Sequence, residues 1–287
     1  MYKILQVKPV ILVGVLNLIL FAIFADTLLQ LFKFWSESYA YSHGVILLPI
    51  VLGIYFYELN KRDEINLNLV NPFSTLCLLG LGVIWFIADL SKVQVIEFFS
   101  FFLILILVNI LLTSRSRKTI HHIWPLLLIV FTLPIWDFLT EILRTIETPI
   151  VTMALKLSFI DAFQDGFLIY VPAGTFLVEN ACSGFNQFIV SIPLASLYLY
   201  SRGLNISRGY KFIVLLLLLA MLFNTLRIYI IIIVGNLTHM KASLVTDHEY
   251  LAWLIYGIGV FILFFIADRR INKIQSNSAR ESENFNE

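Results

Sequence analysis

The chain has 287 residues, 59% of them hydrophobic and only 14% charged, with a formal net charge of +1. A soluble domain would sit nearer about 45–50% apolar and about 25% charged, so composition excludes an ordinary globular domain, and the balanced charge leaves no footprint for nucleic acid. The two cysteines, Cys77 and Cys182, are too few for a disulfide framework.

The apolar residues fall in long blocks, the signature of membrane spans. In chain order, spans are expected over 9–34, 44–60, 73–90, 95–113, 122–136, 183–201, 210–236 and 250–267, with the second and fifth the shortest. The first block is too long for the apolar region of a cleavable signal peptide, so it is taken as a span. The fold class expected is all-α: a polytopic membrane helix bundle of about eight transmembrane helices. One membrane-embedded domain covers 1–268, and the polar tail 269–287 reads as disordered and cytoplasmic.

Between the fifth and sixth spans lies the longest stretch outside the membrane. Residues 137–159 carry Phe138, Ile142, Leu143, Ile146, Ile150, Val151 and Leu155 at helical spacing, with Glu141, Arg144, Glu147 and Lys156 between them. This pattern predicts an amphipathic helix lying on the outer interface. Two β-prone runs then flank Pro172-Ala-Gly174 and predict a short external hairpin. Irregular backbone at this depth must be covered by protein or water.

Orientation follows from the basic residues. Fourteen lie on one set of connecting segments and five on the alternate set, with Arg227 left inside a span, which accounts for all 20. The positive-inside rule places both termini in the cytoplasm.

Three residues then share one depth. Cys182 immediately precedes the sixth span, which enters from outside, and a helix N-terminus favours a thiolate. Arg227 lies 16 residues beyond Lys211. At about 1.5 Å per residue that is roughly 24 Å up, only about 6 Å below the outer edge of a core about 30 Å thick. His248 precedes the eighth span at the same boundary. Taken singly, a cysteine at a helix start is more often structural, and a histidine between Asp247 and Glu249 is more often solvated. An intramembrane arginine is costly, and a functional role is its default reading. A cysteine nucleophile needs a deprotonated sulfur, a proton shuttle and a charge for the oxyanion. Arg227 stays charged and is the electrostatic candidate, and His248 is the acid/base candidate.

The run Val171-Pro-Ala-Gly174, then Phe176-Leu-Val-Glu-Asn-Ala-Cys-Ser-Gly184, resembles the signature of the exosortase/archaeosortase family. So do Asn224-Thr-Leu-Arg-Ile228, with His248 about 20 residues later, and Tyr41-Ser-His-Gly44 with Pro49. The resemblance implies a polytopic cysteine enzyme that needs no cofactor. It implies partners that are exported proteins ending in a short motif such as Pro-Glu-Pro, a transmembrane helix and a basic cluster. It carries the nucleophile onto Cys182 and the other two members of the site onto Arg227 and His248. His43, Asn224 and Glu179, which stand inside these motifs, are candidates to line the site. Phe185-Asn186-Gln187 departs from many relatives, which have an aliphatic residue and then often an arginine, and this bears on substrate subclass.

Two other classes compete. A transporter would use Arg227 as an anion site, and would show more polar residues at mid-membrane depth. A lipid- or glycan-handling membrane enzyme would also place Arg and His at the outer face, with no need of Cys182. His-Glu-x-x-His and Gly-x-Ser-x-Gly do not occur, which disfavours a zinc protease or a serine hydrolase.

The orientation is testable with reporter fusions. A fusion after Arg202 is expected to report a cytoplasmic location and one after Glu179 an external one. The reverse pattern would invert the site.

Overall fold

The computed structural model describes residues 9–61, 72–113, 120–204, 206–243 and 249–284. The chain divides into two compact units, Met1–Asp137 and Phe138–Glu287, where the sequence groups 1–268 as one domain.

The first unit opens with α1 (Pro9–Ile23) and α2 (Ala25–Glu37), which meet at an angle of 81°. The single first span expected over 9–34 is therefore a bent pair. Neither proline nor glycine marks the break. It falls at Phe24, whose ring sits between Trp85, 4.7 Å away, and Phe101, 5.3 Å away. Just beyond it Thr27 donates to Glu97 at 2.7 Å and accepts from Trp85 Nε1 at 3.0 Å. The start of α2 is thereby tied sideways to the helices that carry Trp85 and Glu97.

Helix α3 (Gly44–Asn60) follows, then the hairpin of α4 (Pro72–Leu90) and α5 (Gln94–Thr113). The expected fifth span, 122–136, is not one helix. It consists of α6 (Ile120–Leu127) and a 3-10 turn (Leu128–Thr132). Pro134 supplies the reason, because a residue before proline is pushed out of the helical region, and Leu133 is extended at φ −93°, ψ 144°.

Lipid is as apolar as leucine, so helices in a bilayer associate through close packing and hydrogen bonds. The buried polar groups of this unit act in that way. Asn17 on α1 and Asn109 on α5 exchange side-chain hydrogen bonds at 2.9 Å in both directions, and Tyr55 on α3 donates to Asn109 at 2.7 Å.

The second unit begins with α7 (Phe138–Leu157), followed by β1 (Phe163–Asp165), β2 (Leu168–Val171) and β3 (Gly174–Leu177) in one antiparallel sheet of order β1-β2-β3. The hairpin expected around Pro172-Ala-Gly174 is β2–β3, with Tyr170 opposite Thr175, and β1 adds a third strand. A 3-10 turn (Asn180–Cys182) leads to α8 (Phe185–Ser201), α9 (Ile206–Leu237) and α10 (Glu249–Asn284). The last helix continues through 269–284, where disorder is expected from composition. That segment has no proline or glycine, and Ala, Arg, Glu, Lys and Gln sustain a helix there.

Helix α7 presents Ile142, Ile146, Ile150 and Met153 outward, while Leu143, Glu147, Thr148, Val151, Thr152 and Leu155 are buried. Val151 and Leu155 join Ala162, Ile169, Val171, Val178, Ile228 and Ile232 in one apolar cluster, which ties α7, the sheet and α9 together. Between α8 and α10, Ser191 and Tyr256 share a hydrogen bond of 2.8 Å.

By length and apolar composition, four described helices can cross a membrane, or five with the α1–α2 pair, against the eight expected. Helix α8 falls short because it is 17 residues long and buries Asn186, Gln187, Ser191 and Ser196.

The Asn17–Asn109–Tyr55 node yields a prediction. Asn109→Leu leaves the Asn17 amide and the Tyr55 hydroxyl short of a buried partner, and should cost about 1–3 kcal/mol. A lowered midpoint in detergent thermal unfolding is the expected result, while an unchanged midpoint would mean the node is dispensable.

Candidate active site

The site is built on three elements of the second unit: α7, the turn before α8, and α9. Cys182 ends the 3-10 turn, and its N–H donates to the Glu179 carbonyl at 2.9 Å. It lies three residues before Phe185, where α8 begins, so it precedes the helix N-terminus rather than occupying it. Its side chain is half-buried against the apolar cluster.

Gly184 lets the chain turn from Cys182 into α8. Its φ of +67° is left-handed, a conformation that glycine adopts without penalty. A Cβ at this position would also stand 2.7 Å from Asn224, so the turn and α9 approach as closely as backbone allows.

Asn224 lies on α9, three residues before Arg227, and is buried. Its Nδ2 donates to the Cys182 carbonyl at 2.9 Å and to Glu147 Oε2 at 2.5 Å. Its Oδ1 accepts from an Arg227 Nη at 3.4 Å. Arg227 is 3% exposed, so the guanidinium turns into the protein instead of snorkelling to the surface. The Cys182 main chain and the Arg227 head group are thus held by one amide. Glu147 Oε1 and Arg227 Nε make no hydrogen bond among the described residues.

Glu147 is the site residue that sequence reasoning did not single out. It is 1% exposed, and burial pushes its carboxyl up to about 8, against the lowering pull of the Asn224 hydrogen bond and the Arg227 charge. One turn earlier on α7, Arg144 Nε donates to the Val178 carbonyl at 2.8 Å, and the Arg144 head group also binds the Asn180 side chain and covers the Phe167 ring. The hairpin is anchored at its tip, where the Ala173 N–H donates to Asn236 Oδ1 at 3.1 Å.

The remaining candidates are Glu179, His248 and His43. Glu179 is exposed and contributes its carbonyl rather than its carboxylate. His248 falls outside the described residues. His43 belongs to the first unit, where burial lowers its pKa and the carbonyls of Ala40 and Phe131 pull the other way. The Tyr41 hydroxyl donates to Asp137 at 2.7 Å, and Gly44 lies against the Trp35 ring.

A family model described as an EpsH-type transmembrane exosortase matches residues 35–265. The chain belongs to the transmembrane exosortase family. No curated protein and no solved structure matches it. Exosortases are multi-pass membrane proteins and, as a family, cysteine transpeptidases that act on exported proteins bearing C-terminal sorting signals. In this exosortase the match takes in the whole Glu147–Cys182–Asn224–Arg227 assembly.

The contact between Gly184 and Asn224 predicts the effect of one added methyl group. Gly184→Ala puts a Cβ into a left-handed residue, a strain of about 1–2 kcal/mol, and displaces Asn224 from the Cys182 carbonyl. Turnover of a tailed substrate should fall about tenfold or more, as expected for a lost buried hydrogen bond. Wild-type turnover in the Gly184→Ala protein would show that this close approach is not needed.

Proposed function

We propose that this exosortase cleaves the C-terminal sorting signals of exported proteins at the outer face of the cytoplasmic membrane, with Cys182 as nucleophile. The observation that carries the reading is the shared grip of Asn224 on the Cys182 carbonyl and the buried Arg227. The substrate is an exported protein ending in a short motif, a transmembrane helix and a basic cluster. Its own helix lies in lipid beside the enzyme, with the scissile bond near Cys182. Both termini of the enzyme face the cytoplasm. The described spans are completed to eight crossings by the shorter segments 44–60, 122–136 and 183–201.

In the first step the Cys182 sulfur attacks the scissile carbonyl. A thioester forms, and the amine leaves with a proton supplied by His248. Arg227 stabilises the thiolate and the oxyanion, since it presents planar donors and keeps its charge when buried. In the second step water or an acceptor amine attacks the thioester, gives its proton to His248, and returns the Cys182 thiolate. Asn224 lines the site in this reading, and Glu179 supports the Cys182 turn through its carbonyl.

The test is the size of a tagged substrate on a gel, with enzyme variants at equal membrane levels. Cys182→Ala should leave the substrate uncut while inserting normally. Arg227→Lys should also fail, because a lysine lacks the planar fork and loses its charge more readily when desolvated. His248→Ala should slow cleavage by about 10²–10⁴. Trimming by the Cys182→Ala enzyme would remove the thiol from the chemistry and return the transporter and lipid-enzyme readings.

A further inference from the structure

Glu147 is a carboxyl group placed where a membrane protein can least easily hold one. It is 1% exposed, and Leu143, Val151 and Leu155 of its own helix are buried around it. Moving a carboxyl out of water is costly unless specific partners receive it. The partner that the structure provides comes from 77 residues away, the Asn224 amide. We propose that Glu147 is a positioning residue of the Cys182 site, fixing the Asn224 amide and, through it, the Cys182 carbonyl and the Arg227 guanidinium.

The argument rests on what one amide can do. An asparagine side chain has two N–H donors and one carbonyl acceptor. Both donors are engaged, by Glu147 Oε2 and the Cys182 carbonyl, and the acceptor receives Arg227. Turning the amide over would set its oxygen against two other oxygens and its NH2 against a guanidinium. Only one orientation satisfies the group, and Glu147 supplies a third of what selects it. Without Glu147 one buried N–H is left bare, and the same amide becomes a weaker hold on Cys182 and Arg227. Arg144 gives independent support. It lies one turn earlier on α7 and binds the Val178 carbonyl, so α7 reaches the 178–182 segment directly at one end and through Asn224 at the other.

The functional consequence rests on the reading of Cys182 as nucleophile, whereas the geometry does not. The experiment therefore uses two readouts. The chain has two cysteines, so a Cys77→Ser background leaves Cys182 as the sole thiol. The rate of its alkylation by iodoacetamide in membranes reports the state of Cys182 without any substrate. Cleavage of a tailed substrate reports turnover. Glu147→Asp keeps the carboxyl group but falls one methylene short of Asn224, and both rates should drop about tenfold or more, as for Glu147→Ala. Glu147→Gln keeps the reach and an acceptor oxygen, and should stay within about threefold of the parent. In an Asn224→Ala background, Glu147→Ala should cost less than about twofold more, because a residue that acts through another has nothing left to act on.

Additive losses in the double mutant would overturn the proposal, as would a Glu147→Gln enzyme as slow as Glu147→Asp. If Glu147→Ala fails to accumulate, the Asp and Gln pair decides. Should the alkylation rates follow the expected pattern while the parent enzyme cuts no substrate, the sorting function falls and the positioning role stands. Should the parent cut substrate and every Glu147 variant match it, the positioning role falls and the function stands.

Discussion

The Asn224 amide sits where two costly groups meet, a guanidinium 3% exposed and a main-chain carbonyl outside any regular helix. Irregular backbone within a membrane protein must find its hydrogen bonds in the protein itself. The segment from Val178 to Gly184 is such backbone. Its carbonyls are met from outside by side chains, the Val178 oxygen by Arg144 and the Cys182 oxygen by Asn224. Side-chain amide and guanidinium groups thus do for this turn what a neighbouring helical residue does elsewhere. The sharp entry into α8 at Gly184 follows from that support.

The same economy holds in the first unit, with different residues. Asn17, Asn109 and Tyr55 join three helices, and Thr27, Glu97 and Trp85 fix the bend between α1 and α2. Apolar contact alone discriminates poorly between helix faces in lipid. These polar nodes define which faces meet, while aromatic packing fills the space between, as where Phe24 meets Trp85 and Phe101.

Much of this was legible in the sequence. Hydropathy gave the long spans, turn chemistry gave the β2–β3 hairpin, and depth alone set Arg227 apart before any contact was known. What escaped has identifiable causes. The α1–α2 bend is made by tertiary contacts at Phe24 and Thr27, and the local sequence carries no breaker. The fifth span ends early because of Pro134, a signal present in the sequence but outweighed by the apolar run around it. Glu147 and Arg144 escaped for a different reason. An amphipathic pattern is ordinarily read with water on the polar side, and on α7 the polar residues Glu147, Thr148 and Thr152 are buried. A single stripe holding Arg144, Glu147, Thr148 and Thr152, opposite one holding Ile142, Ile146 and Ile150, was visible, but its sign depends on the solvent.

The burial of Glu147 has a consequence for biosynthesis. Among the described residues, the hydrogen-bond partners of the Arg144 and Glu147 head groups lie later in the chain: Val178 and Asn180 for Arg144, and Asn224 for Glu147. A ribosome delivers α7 first, with its carboxyl and guanidinium groups still in need of hydrogen-bond partners. The Glu147 carboxyl is without its amide partner until α9 has been synthesised. The Cys182 carbonyl, too, gains its Asn224 partner only after α9 has been made.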